Sequence, residues 1–172
     1  MLTKNFWKML YAYGNCSAPN ISLVGKDGNT ISYSSTYNYY DTQFSNLTAK
    51  PFLQAMKKCY YPSYTSYTNA YGVWFGSGDT QPTADDYDLE SPLTSGISNF
   101  SCTGIITEYT DDYSQFTITY LLKASETITI KEIGLFAQAF YSSSSTFSSY
   151  LVDRTLLDEP VTIEAGETKT IM

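Results

Sequence analysis

Apolar and polar residues alternate with a period of two over much of the second half of the chain. The runs SCTGIITEYT (101–110) and SQFTITYLLK (114–123) meet across the turn-forming cluster TDDY (110–113). A period of two sends successive side chains to opposite faces of an extended strand. TITIKEIGLFAQAF (127–140) continues the pattern, and Gly134 interrupts it in a way that predicts a bulge. YSSSSTFSS (141–149) reads as a loop and YLVDRTLL (150–157) as a strand. VTIEAGETKTI (161–171) reads as a closing hairpin that turns over Ala165 and Gly166. Short strands at regular spacing, with turn signals between them, predict an all-β fold, an antiparallel β-sandwich.

The first half is less regular. Thr3 is placed to cap a short helix over residues 4–12, with Phe6, Leu10 and Tyr13 on one face, Trp7 beside them and Gly14 as the stop. That helix is expected to lie against the sandwich or to reach a neighbouring molecule. ISLVG, KDGN and TISYS (21–34) form a hairpin pattern, because Asp27, Gly28 and Asn29 tolerate the positive φ of a tight turn. YSSTYNYYDTQFSNLT (33–48) and YYPSYTSYTNA (60–70) are Tyr/Ser-rich and lack a clean period, so they read as long loops. AKPFLQAMKKC (49–59) reads as one helical turn or as a strand broken at Pro51, and residues 71–75 as a strand. The expected organisation is a docking segment over 1–20 and one sandwich domain over 21–172.

The stretch GSGDTQPTADDYDLE (76–90) admits three readings. As a phosphate loop it lacks the following Lys and the strand–loop–helix spacing. As a calcium loop it offers Asp79, Asp85, Asp86 and Asp88, but not the ligand alternation or terminal Glu of an EF-hand. The preferred reading is a structural corner. Gly76 and Gly78 let the backbone leave the strand sharply. Thr83 caps a single helical turn with Asp86 three residues on, as in a capping box, and Leu89 returns to the core.

Two charges fall among apolar positions. Glu132 shares parity with Ile128 and Ile130, and Arg154 shares parity with Val152 and Leu156. An unpaired buried charge is very costly. The economical expectation is that Glu132 and Arg154 meet on adjacent strands. The competing arrangement turns Glu132 outward at a Gly134 bulge and lets Arg154 snorkel.

Composition narrows the function classes. The chain has 172 residues, a net charge of −7 and ten basic residues, of which only Arg154 is arginine. The longest basic run is Lys57–Lys58, too little for a nucleic-acid surface. No histidine is present, which removes the usual general base near neutral pH and any Ser-His-Asp or Cys-His site. The adjacent pairs Asp85/Asp86 and Asp111/Asp112 read as turn formers rather than as paired catalytic carboxylates. Cys16, Cys59 and Cys102 are odd in number with no CxxC, so free thiols made in a reducing cytoplasm are expected. No cofactor or metal is signalled. The N-terminus lacks a signal-peptide core, no run is long enough to span a membrane, and the four sequons read as chance products of a Ser/Thr/Asn-rich chain. Seventeen tyrosines admit two readings, genomic base bias or a contact surface in which Tyr supplies area at low entropic cost.

The order GSGDTQPTADDYDLESPL (76–93), ITIKEIGLF (128–136), LVDRTLL (151–157) and EPVTIEAGETKTI (159–171) resembles a recurring pattern of bacteriophage virion proteins. The opening LTKNFWKMLYA is similar to the start of small structural proteins of gut-associated phages. The resemblance covers about residues 71–172, and the last strand stops at Met172, earlier than the pattern implies. It implies a non-enzymatic structural protein of the virion, made in the host bacterial cytoplasm, in the tail, neck or fibre-base region, with capsid decoration as the alternative. Its expected partners are further copies of itself and other virion proteins, with neither nucleic acid nor membrane. Phe6, Trp7, Tyr37, Tyr39, Tyr40, Tyr64 and Tyr67, with the loops 33–48, 60–71 and 140–150, are the candidate contact residues. A host-surface glycan module is the other reading, with Trp74 and Phe75 as a stacking platform, although a Trp in a strand is more simply core.

Overall fold

The computed structural model describes residues 1–8, 21–33, 72–109, 114–141 and 146–172. They form an all-β fold with one short helical stretch at residues 4–8. The strands are β1 (Ile21–Val24), β2 (Thr30–Tyr33), β3 (Gly72–Gly76), β4 (Ile97–Tyr109), β5 (Ser114–Ala124), β6 (Ile128–Tyr141), β7 (Thr146–Ile163) and β8 (Thr168–Ile171). They make three antiparallel sheets: the hairpin β1–β2, the sheet β3–β6–β7 and the sheet β4–β5–β8.

The two three-stranded sheets share one apolar core. Phe75, Ile128, Ile130 and Ile163 from one sheet pack with Ile97, Phe100, Tyr120 and Leu122 from the other. Phe75 meets Phe100 and Tyr120 edge-on at 5.7 and 6.0 Å, and those two rings stack at 4.8 Å. Each such pair adds about 0.5–1.5 kcal/mol beyond area burial. This aromatic knot ties β3 to β4 and β5 across the layers.

The chain crosses between the two three-stranded sheets at three places. Residues 77–96 carry it from β3 to β4, residues 125–127 from β5 to β6, and residues 164–167 from β7 to β8. The last crossing corrects the expected closing hairpin. β8 does not pair with β7 but adds to β5, with Lys123 opposite Thr168 and Tyr120 opposite Ile171. The turn is as expected, with Gly166 at φ 83°. Its Gly166 N–H donates to Ala124 O and Ala124 N–H to Glu167 O, which fastens the turn to the opposite sheet.

The expected loop over 140–150 is also corrected. β6 runs to Tyr141 and β7 starts at Thr146, with Tyr141 opposite Thr146 and Phe140 opposite Phe147. Tyr150 is fully buried. Residues 142–145 lie outside the described residues, and on either side of them the backbone ladder of β6 and β7 outweighs a loop-like composition.

Gly134 is not a bulge. It pairs regularly with Trp74 on one side and Arg154 on the other. The irregularities fall elsewhere. Ile130 faces Val161 but Glu132 faces Leu156, so residues 157–160 of β7 stand opposite Lys131 alone. Pro160, which has no N–H for a ladder, sits in that bulge. The second irregularity lies between Leu135 and Phe136, where β7 steps from Asp153 to Leu151 and both Leu151 and Val152 become buried.

Candidate functional site

The corner between β3 and β4 is the most organised polar feature of the described residues. It closes on β3 through Ser77 N–H to Ser91 O at 2.8 Å and Leu93 N–H to Phe75 O at 2.9 Å. Beneath it lies Glu132. Ile128 and Ile130 belong to the inter-sheet core, whereas Glu132 faces Gly76 and the corner, and the first β7 irregularity falls between them. Glu132 is therefore buried on the face opposite Phe75 rather than inside the sandwich.

Each oxygen of Glu132 accepts two hydrogen bonds. Oε1 takes Gly78 N–H at 3.2 Å and Ser91 N–H at 2.8 Å, and Oε2 takes Glu90 N–H at 3.2 Å and Arg154 Nε–H at 2.7 Å. The expected Glu132–Arg154 pair is thus present, made diagonally across β6 and β7. A carboxylate that accepts three backbone amides and one guanidinium acts as a template for the loop.

Arg154 spends its remaining donors on the same corner. Nη1 donates to Asp86 Oδ2 at 2.8 Å, and Nη2 to Thr80 O at 3.1 Å and to Glu90 Oε2 at 3.5 Å. Burial opposes the guanidinium charge, but the Asp86 and Glu132 carboxylates more than offset it and hold Arg154 above its usual value. Burial likewise pushes Asp86 up, yet hydrogen bonds from Arg154 and Thr83 outweigh it and leave Asp86 below the usual carboxylate range.

The glycines are required here for space. Gly76 and Gly78, expected to let the chain leave the strand sharply, do not use the positive φ open to glycine, and neither does Gly134. A Cβ on Gly76 would meet Glu132 Cγ at 2.7 Å and Cδ at 2.8 Å. One on Gly78 would meet Glu90 Cβ at 2.5 Å and Glu132 Oε1 at 2.7 Å. The missing side chains let the carboxylate reach the backbone donors. Gly134 does the same for an apolar group, since its Cβ would lie 2.8 Å from Leu89 Cδ2. Leu89 does return to a core, a small cluster with Phe136 and Leu151.

Thr83 and Asp86 are joined as in a capping box, but around a β-turn instead of a helical turn. Thr83 N–H donates to Asp86 Oδ2 at 3.0 Å and Thr83 Oγ1 to Asp86 Oδ1 at 2.7 Å, while Asp86 N–H returns to Thr83 O. With Gln81 and Pro82 before it and Leu89 drawn inward after it, the segment is too short to propagate a helix.

The four aspartates that suggested a cation loop diverge. Asp79 pairs with Lys131, Asp85 with Lys4, Asp86 with Arg154 and Asp88 with Lys26. Among the described residues no group of three His, Cys, Asp or Glu is arranged to hold a metal ion. Each carboxylate fastens a different element to the corner. The exposed pairs contribute little individually, and the buried Arg154 pairs dominate.

Sequence reasoning missed Asn5 and expected Thr3 to cap the helix, whereas Thr3 Oγ1 donates to Leu151 O; of that helix residues 4–8 are described, and 9–12 lie outside the described residues. Thr3 and Asn5 are both buried. Residues 1–3 run along β7, with Leu2 bridging Asp153 and Thr3 N–H donating to Val152 O. Nothing in a local pattern marks a polar residue that will pair with backbone far along the chain. Of the candidate contact residues, Trp7 is 55% exposed, and its ring meets that of half-buried Phe6 edge-on at 5.3 Å. Tyr37, Tyr39, Tyr40, Tyr64 and Tyr67, with loops 34–48 and 60–71, lie outside the described residues. Trp74 is half-buried and packs against the Leu89 cluster, which favours the core reading over a glycan platform. No helix among the described residues is long and apolar enough to cross a membrane.

Fold and corner together define a two-layer antiparallel sandwich braced by a buried Glu–Arg pair. Comparison with protein-family models, curated proteins and solved structures finds no match to the chain.

Proposed function

We propose that the protein is a non-enzymatic structural component of a bacteriophage virion that assembles through protein–protein contacts, in the tail, neck or fibre-base region. One observation carries the non-enzymatic part. The four aspartates of the corner pair with four different cations, and the carboxylates that do come together, Asp86, Glu90 and Glu132, are all engaged by the one Arg154 guanidinium, so the corner fixes a shape. A reaction centre would aim its carboxylates at a point open to substrate. The virion assignment rests on the ordered motifs 76–93, 128–136, 151–157 and 159–171. The second and third of these supply Glu132 and Arg154, and the first supplies the loop they hold. The acidic net charge keeps free subunits soluble and away from packaged DNA.

The test has two parts. Light scattering on the purified chain is expected to give a closed oligomer, a whole-number multiple of 19.3 kDa. Immunogold labelling of phage particles is expected at the tail or neck. Label on the capsid shell would replace the tail assignment with decoration. A monomer at all concentrations together with unlabelled particles would overturn the proposal.

A further inference from the structure

The hairpin β1–β2 pairs with no other strand of the described residues. An isolated two-stranded hairpin is marginal in water, so its attachments decide whether it stays in place. Residues 3–8 supply several of them. Asn5 holds both backbone groups of Val24, donating from Nδ2 to Val24 O at 2.7 Å and accepting Val24 N–H on Oδ1 at 2.9 Å. In effect one side chain replaces a neighbouring strand. Lys8 Nζ donates to Ser22 O at 2.7 Å.

The same residues grip the sandwich. Thr3 N–H donates to Val152 O and Thr3 Oγ1 to Leu151 O at 2.7 Å, and Lys4 N–H donates to Ala84 O at 2.7 Å. The hairpin adds its own contact, Lys26 N–H to Ser149 O at 2.9 Å. By contrast, among the described residues the apolar core that joins the two large sheets contains none before Val73. The hairpin also buries Leu23 fully, but Leu23 is not part of the core that joins the two large sheets, so the two attachments are separate.

We infer that residues 3–8 are a strap that holds the β1–β2 hairpin on the sandwich and releases it as one cooperative unit, with Asn5 as the joining residue. Such a unit opens below the global unfolding free energy and exposes its amides together. This goes beyond the proposed virion role and does not depend on it.

Residue-resolved hydrogen exchange by NMR on the full chain tests it. In Asn5→Ala the amides of Thr3, Val24 and Lys26 should exchange faster together, by roughly 30- to 100-fold, because the two part-buried hydrogen bonds to Val24 and the longer one to Leu151 O at 3.5 Å are all lost. The amides of Ser91, Leu93 and Ala124 should be unchanged. Thr3→Val, which deletes only the hydroxyl donor to Leu151, should accelerate the same three by a smaller factor. Unchanged rates, uniform acceleration of all six amides, or loss of the fold in Asn5→Ala would each overturn the inference. Acceleration of Thr3 alone in Thr3→Val would do so too.

Discussion

Replacing Glu132 by Gln keeps the shape of the side chain and removes its charge. Glu132 is fully buried, and its two oxygens accept from Gly78 and Ser91 on one side and from Glu90 and Arg154 on the other. A Gln amide has one acceptor oxygen and one NH2 group. Whichever way it is turned, one pair of buried donors faces another donor. Arg154 keeps only Asp86 and the partly exposed Glu90 as counter-charges. Breaking a buried ion pair from one side costs about 3–5 kcal/mol. At about 2–4 °C per kcal/mol for a chain of this length, the melting temperature should fall by roughly 6–20 °C. Urea unfolding should give the same loss through the midpoint, with the slope unchanged. Arg154→Met should cost a similar amount. The double variant should cost less than the sum of the two, because with both charges gone neither is left orphaned. A Glu132→Gln cost below about 1 kcal/mol, with the two single effects adding, would refute the reasoning.

Further predictions follow from the same geometry. Gly76→Ala should destabilise by at least about 1–3 kcal/mol, because its Cβ collides with a buried carboxylate. Gly166→Ala should cost only about 1–2 kcal/mol, from its positive φ, since nothing lies within 4 Å of its Cβ; paired thermal melts compare them. Leu89→Ala opens a cavity against Phe136 and Leu151 and should cost about 2–5 kcal/mol by urea unfolding. Burial raises Asp86, but hydrogen bonds from Arg154 and Thr83 hold it lower than in the unfolded chain. Its contribution is therefore complete above the unfolded value of about 4 and is lost as the pH falls through the lower native value. Unfolding followed from neutral pH to about pH 3 should show a decline that is shallower in Asp86→Asn.

The parts of this fold written in local alternation were legible in the sequence. Most of β4, β5 and β6, the middle of β7 over 150–157, the KDGN turn and the turn at Gly166 follow from period two and from residues that tolerate positive φ. The Glu132–Arg154 pair was legible because a charge at an apolar parity needs a partner, and only one arginine was available. Parity did not show the face. The ladder is irregular between Ile130 and Glu132, and Glu132 lies under the corner instead of with Ile130; strict alternation gives no sign of such an irregularity. The role of the glycines was misread for a related reason. A glycine signals conformational freedom locally, but Gly76, Gly78 and Gly134 are needed because distant Glu132 and Leu89, with nearby Glu90, occupy the space of a side chain. Residues 164–167 read as a hairpin because turn chemistry fixes the reversal, whereas the sheet that receives β8 is chosen by tertiary packing against β5.

Arg154 is the single arginine of the chain, so its side-chain Nε–H gives one assignable resonance in a 15N–1H spectrum. Buried and bonded at 2.7 Å to Glu132, that proton should exchange slowly with water at neutral pH in the wild type and rapidly in Glu132→Gln. An Nε–H that exchanges in the wild type as fast as that of a solvent-exposed arginine would contradict a corner held by this pair.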